Sequence, residues 1–289
     1  MVLSGDRLKA KDLWRDAGYD PFKQRNLPNA FAKVKDAKSA IRFVERYGFL
    51  GYASLKSGLD ADDQRWQEDE EDLLPWILGQ ADTVRFALDI IGMLEHGTLR
   101  ELRNTLKSRQ VSLTESEITE QLQKLPIVGW GAEGPPNVTF RYNCTIGLET
   151  LDHYYSAWKT RGRFMTWDED RVRSHAAELL TALVNRNTAH VRPVFFCEGN
   201  DRLQMTYDYR ALIEVIWHHI GNMAMMSQEG TGVRIGVCHE CGSLFVASRR
   251  PREGHPEFCP PEMYEGKGSR CGLRHRMRER RERMKRKGK

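Results

Sequence analysis

At 289 residues, with 40% apolar and 29% charged residues, the chain can bury one large core or two ordinary ones. No run approaches the roughly 18 uninterrupted apolar residues of a membrane span, and the opening MVLSGDRLKAKDLW has no apolar signal region, so a cytoplasmic protein with no membrane partner is expected. The net charge of +5 is unevenly placed: residues 270–289 hold eleven Lys or Arg against two Glu, which puts +9 in this tail and leaves −4 for the rest.

Residues 1–36 are polar, with turn residues Gly18, Pro21 and Pro28, and predict one short helix around Leu8 to Ala17 followed by loop. Ser39 begins a second helix, in which Ile41, Phe43, Val44 and Tyr47 recur at helical spacing and Gly48 is the stop. Residues 60–72 hold eight acidic residues against Arg65 and read as a solvated loop or an exposed helix start. Pro75 suits the first turn of an amphipathic helix whose stripe is Ala81, Val84, Leu88 and Ile91, with Ala87, Ile90 and Leu94 alongside, ending near Gly97. Thr98 then caps a further helix, and Glu101 three residues later completes a capping box. Another helix is expected over roughly Thr114 to Leu125.

Residues 126–150 are rich in Gly and Pro, contain the strand-like NVTFRYN at 137–143, and can hold a hairpin or a domain boundary. GWGAEG at 129–134 matches G-x-G-x-x-G, but Pro135 and Pro136 follow where a dinucleotide site needs a helix, so it reads as a turn. Thr166 can cap the next helix, with Val172, Ala176, Leu179 and Leu183 on one face. VRPVFF and RLQMTY flank the turn EGND as a hairpin. From Asp208 the most apolar helix follows, expected to be buried on most sides, with His218 and His219 as core histidines. Cys144 and Cys197 read as small apolar residues, and no nucleophile–base set surrounds them, so no enzyme activity is expected.

The remaining cysteines form the pattern C-x2-C-x17-C-x11-C at Cys238, Cys241, Cys259 and Cys271. Two cysteines separated by two residues can both face one ion, and Gly242 can take the positive φ that closes such a turn. Strand-like IGVC and LFVAS flank the turn, a unit too small to be stable alone, so a structural zinc ion would supply folding free energy on the order of 10 kcal/mol. His275, four residues after Cys271, can replace it as fourth ligand, while His239 and His255 read as solvent-facing. Four protein ligands close the coordination sphere, whereas a catalytic zinc keeps a position open.

After Cys271 the chain is dominated by helix formers and basic residues. Leu273, Met277 and Met284 fall on one stripe that would dock the helix start onto the zinc unit. Arg270, Arg274, Arg276, Arg278, Arg280, Arg281, Arg283, Lys285, Arg286 and Lys287, with Arg249 and Arg250 from the loop inside the unit, form the candidate nucleic-acid surface.

C-x-x-C-G-x-L-F at Cys238 to Phe245, F-C at Phe258 and Cys259, and C-G-L-R-H-R at Cys271 to Arg276 resemble the CGNR-type zinc-finger proteins of bacteria. Leu273 stands where the name-giving motif has Asn. The resemblance covers about 50 residues and implies a DNA-binding transcription regulator, nucleoid-associated, with a helical region of the kind named ABATE ahead of the finger.

The expected fold is therefore mainly α: a helical region over residues 1–231 with a few short strands, then a zinc ribbon and basic helix over 232–289. The leading function is zinc-dependent binding of nucleic acid, double-stranded DNA before RNA, with the helical region binding a small-molecule effector or a second copy. Tyr264 and Phe245 could stack on unpaired bases in an RNA-binding alternative. In a third reading the finger only stabilises an enzyme or a protein-interaction module.

Overall fold

The longest helix among the described residues, 23 residues from Leu74 to His96, is the hub of the fold. The computed structural model describes residues 2–9, 21–22, 24–52, 55, 71–112, 116, 140–146, 149–152, 168–198, 202–226, 234–247, 255–261 and 269–287. Among them are seven helices and four small antiparallel sheets, so the fold is mainly α as expected. The helices are α1 (Leu27–Phe31), α2 (Ala37–Tyr47), α3 (Leu74–His96), α4 (Leu99–Lys107), α5 (Glu169–Asn187), α6 (Leu212–Met226) and α7 (Arg270–Lys287). No helix among the described residues is long and apolar enough to cross a membrane.

Pro75 sits in the first turn of α3, where its missing N–H costs nothing. Both apolar stripes of α3 are buried except at Leu94, which is partly so, and Gln80 and Thr83 between them are buried too. The helix is thus a hub packed on several sides, not the one-faced helix that the Ala81 to Ile91 stripe suggests. Its neighbours are α1 and α2, α4 to α6, and strands from three of the sheets. A buried relay pins three helices together: Trp217 Nε1 of α6 donates to Gln80 Oε1 of α3 at 3.1 Å, and Gln80 Nε2 donates to Asn187 Oδ1 of α5 at 3.3 Å.

The caps decide where the helices begin. Thr98 accepts from Glu101 N at 3.3 Å while Glu101 Oε2 accepts from Thr98 N at 2.8 Å, the reciprocal box expected at α4. At α2 the cap is Asp36, which accepts from Ser39 N at 2.7 Å, so Ser39 lies inside the helix rather than at its start. Asp168 caps α5, accepting from Arg171 N at 2.9 Å, and Thr166 lies outside the described residues. Asp208 ends a strand, and α6 begins only at Leu212.

The polar N-terminus departs most from expectation. Leu8, the expected start of a helix, lies instead in β2 (Arg7–Lys9), which pairs with β1 (Val2–Ser4) on one side and β3 (Glu71–Leu73) on the other, while the rest of that expected helix, 10–17, lies outside the described residues. Leu8, fully buried, lies opposite Asp72, also fully buried. Asp72 accepts from Leu50 N at 2.6 Å and from Tyr52 N at 2.9 Å. One carboxylate of the acidic run is therefore a buried clamp and not a solvated charge, because it satisfies backbone donors that the fold removes from water.

In the second sheet β5 (Phe140–Ile146) lies between β4 (Gln110–Ser112) and β6 (Glu149–Asp152). Tyr142, Cys144 and Ile146 alternate inward, the period of a half-buried strand, and pack with α3 and α5. Tyr142 Oη lies 2.7 Å from His175 Nε2. β7 (Arg192–Glu198) and β8 (Arg202–Asp208) form the expected hairpin. Of the expected helix over Thr114 to Leu125 only Ser116, which is helical, is among the described residues, and the GWGAEG turn lies outside them.

Candidate metal centre

The fourth sheet is the hairpin of β9 (Arg234–Val237) and β10 (Leu244–Ala247), and its two sides serve two cores. Ile235 and Leu244 belong to the main core, whereas Phe245 packs with the cysteines. The outer side is stitched to the helices by directed bonds. Asn29 Nδ2 donates to Leu244 O at 2.9 Å, and Asn29 Oδ1 accepts from Leu244 N at 3.0 Å. His96 Nε2 lies 2.7 Å from Ile235 O. On the inner side only glycine fits at 236, since a Cβ there would sit 2.6 Å from Phe245 Cζ.

Three pieces of chain bring four sulfurs together. Cys238 and Cys241 occupy the hairpin tip, where Gly242 takes φ +68° and its N–H donates to Cys238 O at 2.8 Å. Cys238 N donates to Ser243 O at 3.0 Å, closing the knuckle. Cys259 comes from the segment 255–261, held alongside by His239 N donating to Glu257 O at 2.8 Å and by the Arg234–Glu257 ion pair. Cys271 lies in the first turn of α7, where Ser269 Oγ accepts from Gly272 N at 3.1 Å.

The four Sγ atoms all lie within 4.8 Å of one another, with Cys238, Cys259 and Cys271 buried and Cys241 partly so. Cys241 Sγ and Cys259 Sγ are 3.5 Å apart. A disulfide needs about 2.05 Å, while four thiolates about 2.3 Å from a tetrahedral centre stand about 3.8 Å apart. The arrangement is therefore that of a metal site and not of a disulfide pair. His275 is not in the group; its Nε2 lies 3.5 Å from Glu279 and its ring packs on Phe258 and His239.

The thiols are unlike one another. Burial opposes ionisation of Cys241, but hydrogen bonding with Ser243, Cys259 and Cys238 outweighs it and brings its pKa down to about 6. Burial pushes Cys271 up to about 11, aided by the neighbouring Cys241 and Cys238. Four negative sulfurs cannot share so small a space without a cation, so metal entry must displace protons. A divalent ion with soft-ligand preference fits this donor set.

Glu240, between the two knuckle cysteines, has a side chain only 8% exposed and is ion-paired to Arg278. α7 is thus held to the knuckle by Cys271, by the His275 ring on His239 and by Arg278. Leu273, Met277 and Met284 are 50%, 54% and 67% exposed, so the stripe expected to dock the helix faces solvent instead. Contact with the module is made by Cys271, Gly272, His275 and Arg278, which the hydrophobic spacing does not reveal. Arg270, Arg274, Arg276, Arg280, Arg281, Arg283 and Lys285 are exposed along the helix, and Arg286 and Lys287 belong to its last turn. Arg249, Arg250 and Tyr264 lie outside the described residues. Phe245 is buried beside the cysteines and cannot stack on a base, which removes it from the RNA-binding alternative.

The other singled-out residues separate cleanly from this centre. Cys144 is buried, and burial pushes its thiol up to about 12, as for an inert packing residue. His219 is half-buried with Nε2 3.2 Å from Pro21 O, and His218 packs against Tyr207 and Tyr209, so neither is a fully buried core histidine. The side chain of Cys197 lies outside the described residues. The supporting residues Asn29, Ser243, Ser269 and Glu257 carry no sequence signal of their own, whereas Glu240 offered one, an acid inside a knuckle that precedes a basic helix.

Comparison of the chain with protein-family models, with curated proteins and with solved structures gives no match in any of the three.

Proposed function

We propose that this chain is a zinc-dependent nucleic-acid-binding protein that docks α7 on duplex DNA, in the manner of a transcription regulator. The observation that carries the reading is the direct continuity of the four-cysteine cluster with an exposed, arginine-rich helix. All-thiolate tetrahedral sites favour zinc, and four protein ligands leave no open position for chemistry. The resemblance of Cys238 to Phe245 and of Cys271 to Arg276 to CGNR-type zinc fingers points the same way.

The helix surface favours a groove over a single strand. At about 100° per residue, Arg276, Arg280 and Arg283 form one stripe, and Arg274, Arg281 and Lys285 form another on nearly the opposite side. Leu273, Met277 and Met284 run between them, exposed. A helix laid into a major groove about 12 Å wide would set a basic stripe toward each phosphate wall and the apolar stripe toward base edges, where thymine methyls are the apolar feature. α7 carries no Phe, Tyr or Trp on which unpaired bases could stack, and its one imidazole, His275, packs on Phe258 and His239.

The test is fluorescence anisotropy with a labelled duplex, using the full metal-loaded chain and the variant Arg276→Ala/Arg280→Ala/Arg283→Ala. Each lost phosphate contact weakens binding, and three together should cost roughly tenfold or more at low salt. The metal content should not change, because these side chains lie on the face of α7 turned away from Glu240. Equal affinity of the two proteins, or tighter binding of single-stranded RNA than of duplex, would remove the reading.

A further inference from the structure

Away from the metal centre, α3, α5 and α6 enclose a cleft of ≈ 640 Å³, within the size range of small-molecule sites. Its apolar lining comes from Ile91 and Leu94 of α3, Leu180 and Val184 of α5, and Ala224 and the exposed Met225 of α6. Gly221 allows α5 and α6 to cross closely beneath it, since a Cβ there would sit 3.0 Å from Val184 Cγ1. The polar groups of the lining include Glu95, Asn185, His218 and Asn222.

Among the lining residues Glu95 is the one carboxylate and His218 the one basic side chain. Burial lowers the pKa of His218, which disfavours its cationic form. The cleft therefore joins an apolar lining to one carboxylate with no Lys or Arg among the lining residues, flanked by two amides that can donate or accept. An anionic ligand would meet Glu95 with no lining cation to offset it, and a purely apolar one would leave the carboxylate desolvated without a partner.

We propose that this cleft binds a small amphipathic cation, an apolar or aromatic body carrying an amine, with the ammonium on Glu95 and the body over Leu94, Leu180 and Val184. The site stands apart from the metal centre and does not depend on the nucleic-acid reading.

Two fluorescent naphthalene probes of opposite charge test it on the full metal-loaded chain: dansylcadaverine, a cation, and 1-anilinonaphthalene-8-sulfonate, an anion. Dansylcadaverine should titrate to saturation at one site, roughly tenfold or more tighter than the sulfonate. Glu95→Gln should remove most of that preference. Glu178→Gln, which deletes the same charge from an exposed position of α5 outside the cleft, should preserve it. Thr181→Trp, at an exposed position of the cleft lining, should block both probes while the melting temperature holds. Equal affinity for the two probes, equal losses in Glu95→Gln and Glu178→Gln, or undiminished binding to a folded Thr181→Trp protein would each overturn the proposal.

Discussion

Cys259 has no sequence neighbour among the ligands, yet its sulfur stands 3.5 Å from that of Cys241. Losing one of four thiolates opens the coordination sphere and leaves a buried hydroxyl, so Cys259→Ser should lower bound metal well below one ion per chain and reduce the melting temperature. Metal analysis beside a thermal melt checks both. Asp72→Ala should cost about 2–4 kcal/mol, because it strands the buried N–H groups of Leu50 and Tyr52, and a urea titration reads this directly. Asp82 supplies a pH signature. The hydrogen bond from Arg109 holds its carboxyl below the usual carboxylate range against an opposing effect of burial, with Arg85 adding to the pull. A lowered folded-state pKa gives stability that is fully present above the ordinary carboxylate value and is lost as pH falls through the lowered one. Asp82→Asn should therefore flatten the decline of the denaturation midpoint below about pH 4. The ligand cysteines were legible because thiols clustered at C-x2-C spacing have few other uses in such a chain. Asp72 was not, since only the distant loop at Leu50 and Tyr52 distinguishes it from its acidic neighbours.

Elements were legible where a local signal and the tertiary role agree. The Thr98–Glu101 box, the β7–β8 hairpin and the inward face of α5 all formed as their patterns predict. The segment at Leu8 did not, because pairing with β3, more than sixty residues away, overrides the local preference. For α3 the spacing showed two apolar stripes, and only packing on several sides reveals that both are interior. The β9–β10 hairpin has the same character, with one side in the helical core and the other against the cysteines. Asn29 makes that junction specific through its two bonds to Leu244. Asn29→Ala should leave two buried backbone groups unsatisfied and destabilise the hairpin's seat by about 2–4 kcal/mol. Hydrogen exchange should show the loss, with faster exchange at Leu244 N than at the amides of α5. Unchanged protection there would mean that the main-core contacts of Ile235 and Leu244 hold the hairpin unaided.

Taken whole, the chain pairs a mildly acidic body with a basic rod of eighteen residues, about 27 Å long. The charge asymmetry was readable from composition alone. The direction of the rod was not, because it is set by tertiary contacts: Cys271, the packing of His275 on His239 and Phe258, and the Glu240–Arg278 pair. The same pair removes Arg278 from the freely available cations and leaves the stripe of Arg276, Arg280 and Arg283 turned outward. If four to six of the exposed basic residues of α7 meet phosphates, log K should fall with log salt at a slope of about −4 to −5. The most direct measurement is therefore the salt dependence of duplex binding by the full, metal-loaded chain, followed by anisotropy from low to physiological ionic strength. The account predicts a linear decline with a slope in that range; a chain that ignores duplex DNA even at low salt would contradict it.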